Sequence, residues 1–412
     1  MKSVVVVGGG VAGTAAALAA ADAGARVVLL DGGTGASTLS TGAIDDAPWT
    51  QASRPPEPIS PAARAVLDAL AAYAVPESGA RIATTAGVLR PARGHDVALL
   101  DVAPLAGRRV GVVRCDRPEW DATALARAWG DGFAPVDVTV LRHVDERVLP
   151  APDFAARHDD EGRLAWLAQR LREALTRIGG QLDALLLPPS LGVDTARARS
   201  LSALAGIPCG EAAGLPGGPS GLRFERARDR ALSAAGISRT AGRATLVERH
   251  ADRWHLSRTA EGPLEAAAVV LAPGGLVGGG LEYCPGEAAE AGVLTPVSRA
   301  PFRLVIAVAA AKLGAHGRPL EIPGSLFGVP PESLAWPFAA DAVMEHAGVL
   351  VDDEGRAAPG LYAAGETVAD APRTWLRALE SGVRAGAAAA RDALSAPPER
   401  QPSPSARPAS RP

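Results

Sequence analysis

An α/β fold of two parallel sheets, one inserted within the chain of the other, is what this sequence predicts. Three observations predict it. A run of valines passes into a glycine loop and an alanine-rich helix at the start. Between about 107 and 210, strand-like and helix-like segments alternate. Apolar strands ending in glycines return late, in AAAVVLAPGG (266–275) and GVLVDDEGRAAPGLYAAGE (348–366). Alternation of this kind implies parallel sheets with crossover helices.

Residues 2–7 carry a run of four valines, the pattern of a strand buried on both faces. Glycines follow, then a helix over 11–23 and a second strand over 26–30 that closes on Asp31. A proline-rich stretch, 53–61, forms a surface connection before a helical segment at 62–73. The inserted unit opens with GRRVGVVRC (107–115) and a helix at 121–130. It continues with strands at 135–141 and 182–188 and helices at 161–178 and 194–205. Residues 239–271 turn to short strands with turn signals. The tail, 396–412, is rich in Pro, Ser and Arg, a composition that favours disorder. The expected units are 1–106 with 221–290 and 345–395, an inserted unit 107–220, a small substrate or cap region 291–344, and the tail.

With 42 basic against 45 acidic residues and a net charge of −3, the chain has no global basic field to draw in nucleic acid. Three cysteines, Cys115, Cys209 and Cys284, lie far apart without CxxC spacing. No disulfide framework, metal site or iron–sulfur cluster is expected from them. The four valines near the N-terminus are too short a run for a secretory signal. No apolar run approaches the roughly 18 residues of a membrane span. A cytoplasmic protein, reaching a membrane face only through partners, is the expectation.

Gly8, Gly10 and Gly13 form GxGxxG between a strand and a helix, and Asp31 ends the next strand about 20 positions on. The first glycine permits the turn, the second admits a pyrophosphate, and the third lets helix and strand pack. Val11 and Ala12 open a helix whose N–H groups and dipole favour an anion. Asp31 is placed to accept from a ribose diol. The pattern is that of a Rossmann-like dinucleotide-binding domain.

Two late stretches favour a flavin over a nicotinamide. Gly274 and Gly275 end a strand in the manner of two-dinucleotide-type flavoproteins, and Gly365 and Glu366 close a segment similar to the C-terminal flavin segment of the fumarate reductase and glycerol phosphate oxidase families. There the acidic residue meets the ribityl or pyrophosphate region. The helix after it, with its N-terminus around Gly382, is expected to face the flavin pyrimidine carbonyls. The loop TGASTLSTGAID (34–45) carries hydroxyls and no acid before Asp45. Ser37, Ser40 and Thr41 are candidates to donate to pyrophosphate, with Gly42 allowing close backbone approach. FAD is the expected cofactor, with FMN the alternative, and no metal is expected.

On VVVVGGGVAG, STLSTGAID, TTAGVLRPA (84–92), GRRVGVVRCD, LLLPPSLGVD (185–194), LPGGPSGLR and VVLAPGGLVGGGLE (269–282), the chain resembles the second of the subunits of the bacterial anaerobic glycerol-3-phosphate dehydrogenase family. The resemblance implies a flavin-containing member of a membrane-associated complex. That complex oxidises glycerol 3-phosphate to dihydroxyacetone phosphate and passes electrons through an iron–sulfur subunit to quinone. The family is usually described with FMN, whereas Asp31 and the glycine motif suit the adenosine and pyrophosphate of FAD. The family's glycine-rich C-terminal stretch is replaced here by ETVADAPRTWLRALESGVRAG (366–386). A non-catalytic flavin-holding companion and a standalone dehydrogenase of the fumarate reductase or ketosteroid type are the alternatives.

Oxidising a phosphorylated alcohol asks for a base and for arginine at the phosphate. Arg90, Arg223, Arg299, Arg373 and Arg377 are candidates for the anion, and His316 or His346 for the base. No single catalytic residue follows from the sequence.

Overall fold

The computed structural model describes residues 3–46, 58–179, 182–250, 253–259, 262–284, 302–306, 317–318, 320–322 and 348–395. The proposed cap region, 291–344, falls almost wholly outside them, as do the tail and the candidates Arg299, His316 and His346.

The chain opens with β1 (Ser3–Val7), α1 (Val11–Asp22), β2 (Arg26–Asp31) and, later, α2 (Pro61–Leu70). The second unit runs β3 (Val110–Val113), α3 (Ala122–Trp129), β4 (Phe133–Val136) and α4 (Glu161–Ile178). It ends with β5 (Ala184–Leu187), α5 (Ala198–Ala205) and β6 (Cys209–Glu211). The return passes through α6 (Pro219–Ala234), β7 (Ser238–Ala241), β8 (Ala244–His250), β9 (Arg253–Arg258), β10 (Leu264–Ala266) and β11 (Ala268–Leu271). β12 (Arg356–Ala358), β13 (Leu361–Ala363) and α7 (Trp375–Ser395) close the described chain.

The main sheet has six strands in the order β7-β2-β1-β11-β13-β12. All pairs are parallel except the terminal β12–β13 pair. β1 sits at its centre with Val4 to Val7 at most 3% exposed, so neither face meets water. Each such valine contributes roughly 1.5–3 kcal/mol of burial. The second sheet, β6-β5-β3-β4, is wholly parallel and carries its own core around Val112, Leu164, Leu171, Leu185 and Leu186. β8, β9 and β10 form a separate antiparallel sheet.

α4 starts where Asp160 caps it, accepting from Arg163 N–H at 2.7 Å, and stops at Gly179 in the left-handed conformation. The strand expected over 135–141 forms earlier, at Phe133–Val136. Its neighbour β3 ends at Val113, opposite Val136, so no ladder is available further on. The helix expected from 194 starts at Ala198.

Small residues let α1 and α7 pack closely. A Cβ on Gly382 would lie 2.2 Å from the Ala12 carbonyl oxygen, and one on Gly386 would lie 2.2 Å from that of Ala16. The backbones of α1 and α7 therefore touch, and Gly382 lies well inside α7. This corrects the expectation that the helix begins near Gly382. The helix begins at Trp375, and Gly382 serves close helix packing.

The two units are joined by a buried charge cluster. Arg223 of α6 donates from Nε to Asp96 at 2.7 Å and from Nη2 to Glu211 at 2.7 Å, with all three side chains at most 3% exposed. Its Nη1 donates to the Gly192 carbonyl at 2.6 Å. Burial pushes the Glu211 carboxyl up and Arg223 opposes it. Burial also works against charge on Arg223, but Asp96 and Glu211 outweigh it and hold the guanidinium above its usual value. Arg223, expected as an anion ligand, is thus a structural clasp.

Candidate functional site

The C-terminal ends of β1 and β11 open into a cleft of about 310 Å³. This is where open parallel sheets bind ligands. Its floor is Gly8, Gly9 and Gly10, and its walls include Ser37, Arg243, Gly274, Gly365 and Glu366.

Gly8 has φ +108, and a Cβ there would stand 2.0 Å from the Ala272 carbonyl oxygen. Only glycine lets β1 turn beside β11. A Cβ on Gly13 would stand 1.8 Å from the Gly8 carbonyl, so α1 packs directly on the turn. Gly10 is the N-cap of α1 and makes no side-chain cap, and the first turn holds no acid. Val11 N–H donates to Ser37 Oγ at 3.0 Å. The N–H groups of Ala12 and Gly13 have no acceptor among the described residues, as expected for a first helical turn. They leave the positive end of α1 available to an anion.

The loop 34–45 is held from behind by α6. A Cβ on Gly221 would stand 1.6 Å from the Thr38 carbonyl oxygen, and Thr38 Oγ1 donates to Glu225 at 2.9 Å. Only the front of the loop reaches the cleft, through Thr34 to Ser37. Ser40, Thr41 and Gly42 do not line it, contrary to expectation. Ser40 Oγ accepts from Gly42 N–H at 3.2 Å, and Gly42, at φ +95, is packed against Ser220, Leu99 and Asp96.

Asp31 is likewise engaged elsewhere. It accepts from Gly33 N–H at 3.1 Å and from Arg239 Nη2 at 2.8 Å, and Arg228 Nη1 stands 3.6 Å away. Its neighbours Leu30 and Gly32 line the cleft and Asp31 does not. Its carboxylate nevertheless stands beside Gly9, 2.9 Å from where a Cβ there would stand, and Gly9 does line the cleft. Arg228 also donates to the Gly9 carbonyl at 2.9 Å, bracing the glycine turn. No local spacing announces Arg228 or Arg239, because their partner lies some two hundred residues earlier.

On the opposite wall, Gly274 has φ +85, and Gly275 N–H donates to Glu366 Oε2 at 3.1 Å. Burial pushes the Glu366 carboxyl above its ordinary range, while Gly275 N–H and Arg373 act to lower it. Gly365 has φ +76, donates to Ser381 Oγ at 2.9 Å, and packs against Ala12. The pair 365–366 thus ties β11, α1 and α7 together at the cleft.

Ala378 of α7 lines the cleft, and the residues just before it, Leu376 and Arg377, lie against Asp45 and Asp46, where further arginines gather. Arg90 pairs with Asp45, and Arg93 N–H donates to Asp45 Oδ1 at 3.1 Å. Arg93 Nε stands 3.7 Å from Asp46, and Arg377 Nε donates to the Asp46 carbonyl at 3.3 Å. Burial raises the Asp45 carboxyl, with Arg90 opposing. Tyr73 Oη, Thr374 Oγ1 and Trp375 Nε1 are buried there without a partner among the described residues.

Glycines from three separate loops, a helix N-terminus with open N–H groups and a serine hydroxyl beside it fit the pyrophosphate of FAD. Residues 3–87 match the FAD binding domain family. The chain carries an FAD-binding domain, and FAD is its cofactor. No curated protein sequence matches it.

Among solved structures it is similar to a Lactococcus lactis thioredoxin reductase, at 11% identity and TM-score 0.30 over 95% of this chain and 99% of that one. An oxidoreductase from Agrobacterium tumefaciens matches at 11% identity and TM-score 0.34, over 95% and 98%. The anhydrotetracycline hydroxylase OxyS of Streptomyces rimosus matches at 13% and TM-score 0.33, over 96% of this chain and 63% of that one. At that distance the likeness carries no argument. Among the described residues, no helix is long and apolar enough to cross a membrane.

Proposed function

We propose that this chain is an FAD-dependent oxidoreductase subunit that oxidises the alcohol of glycerol 3-phosphate to dihydroxyacetone phosphate. In this reading the electrons leave through a companion iron–sulfur subunit toward quinone. The observation that carries the substrate reading is the gathering of Arg90, Arg93, Arg373 and Arg377 at the start of α7, next to the end of the FAD cleft. Planar guanidinium groups suit a phosphate dianion. Asp45 pairs with Arg90, Asp46 stands beside Arg93, and the Asp46 carbonyl accepts from Arg377, which fixes the orientation of the three. The buried hydroxyls of Tyr73 and Thr374 are suited to the polar backbone of a small polyol.

FAD, when bound, supplies the two-electron acceptor. The chain's part is to hold the phosphate, orient the carbinol carbon toward the cleft and exclude water from it. The sequence candidates for a base, His316 and His346, lie outside the described residues.

The test is anaerobic titration of the flavin-loaded chain, alone and with a co-expressed iron–sulfur partner. Glycerol 3-phosphate should bleach the visible flavin band where unphosphorylated glycerol does not. Arg377→Gln should raise KM for glycerol 3-phosphate about tenfold or more. A loaded flavin that neither preparation reduces would refute the substrate reading while leaving the cofactor in place.

A further inference from the structure

The end of the cleft beside the loop after β2 contains a cation that no motif marks. Arg243 is the single basic side chain among the described residues lining the cleft. Its backbone is fixed on both sides by Thr259: Arg243 N–H donates to Thr259 Oγ1 at 3.1 Å, and Thr259 N–H donates to the Arg243 carbonyl at 3.1 Å. The preceding Gly242 N–H donates to the Asp31 carbonyl at 3.1 Å, so the start of β8 is anchored to the end of β2.

From that anchor the side chain crosses the cleft mouth. Its Cγ lies 3.0 Å from where a Cβ on Gly32 would stand, and its Nη1 lies 3.2 Å from that of Gly279. Glycine on both banks leaves room for the guanidinium between the loop after β2 and the loop after β11. The Arg239 and Arg228 guanidinium groups, by contrast, are occupied by Asp31 and Asp229. The Arg243 guanidinium has no acceptor among the described residues. An arginine held by its backbone, with its planar head unclaimed over a ligand cleft, is suited to an aromatic face.

We infer that Arg243 is the adenine clamp: its guanidinium packs on the adenine ring, and it, rather than Asp31, makes the site prefer FAD to FMN. FMN lacks adenosine and so gains nothing from this contact. The inference rests on the FAD cleft and is independent of the substrate.

Apoprotein is titrated with FAD and with FMN, following flavin fluorescence. Wild type should bind FAD more tightly than FMN. Arg243→Ala should lose roughly fivefold in FAD affinity, the scale of a cation–π contact at an exposed site, with FMN affinity unchanged within about twofold. Arg243→Lys, which keeps the charge and loses the plane, should not restore FAD affinity. Asp31→Asn should lower the melting temperature without changing the FAD-to-FMN ratio. Because Arg243 is exposed, circular dichroism should show both of its variants folded.

Equal losses for FAD and FMN in Arg243→Ala, or no loss for either, would overturn the clamp. Full recovery in Arg243→Lys would replace stacking by a charge contact and overturn it as well. Wild-type apoprotein that takes up neither flavin would instead refute the cleft assignment.

Discussion

At the scale of single residues, one hydroxyl separates itself from its neighbours. Ser37 Oγ accepts the first N–H of α1 and lines the cleft, whereas Ser40 accepts a bond inside its own loop. Ser37→Ala should cost about 1 kcal/mol of stability, the worth of a helix cap, and weaken FAD retention. Ser40→Ala should leave retention within twofold, and apoprotein titration of the two variants checks this. Composition made the loop visible in the sequence, but not which of its hydroxyls faces the ligand, since that depends on how α6 presses on Thr38. Glu366 gives a pH test. Burial lifts its folded value above the ordinary 4.5, so its ionised form is disfavoured in the fold. Its contribution is present below that ordinary value and is lost as pH rises through the folded one. Relative to Glu366→Gln, wild-type apoprotein should lose melting temperature as pH climbs from about 4.5. Parallel curves would contradict the assignment. Cys115 and Cys209, both pushed by burial up to about 12, should resist alkylation at neutral pH until the protein unfolds.

At the scale of elements, the pairing of α1 with α7 decides where the cleft lies. The two helices approach so closely at Gly382 and Gly386 that Gly382→Val should destabilise the fold by about 3 kcal/mol or more. Chemical denaturation measures this, and a variant as stable as wild type would show that the helices can part. The opening strand, glycine turn, helix and second strand were legible because β1, α1 and β2 follow one another within about thirty residues and β1 pairs with β2. The alternating strands and helices of the inserted unit were legible from their apolar runs and helical spacing, although β3 pairs with β5 across some seventy residues. β7 was not, because its place beside β2 depends on a chain return of some two hundred residues. Arg228, Arg239 and Arg243 come from that same return. Asp31, a candidate ribose acceptor in the sequence, gains from that return the arginine partners no local spacing could show.

At the scale of the whole molecule, the inserted unit is coupled to the flavin unit through Arg223, Asp96 and Glu211. Arg223→Met strands two buried carboxylates and should cost about 3–5 kcal/mol. It should also split unfolding into two transitions in calorimetry, because each sheet keeps a core of its own. A single transition with little loss of stability would show that other contacts couple the units. The whole arrangement of a parallel sheet, a glycine turn and a helix end facing a cleft serves one function, the holding of FAD. Its most direct test is release of the cofactor from purified protein and its identification by chromatography beside the visible spectrum. A yellow protein, or an apoprotein that becomes one, holding one FAD per chain is the expected result. A colourless protein that cannot be reconstituted with FAD would contradict it.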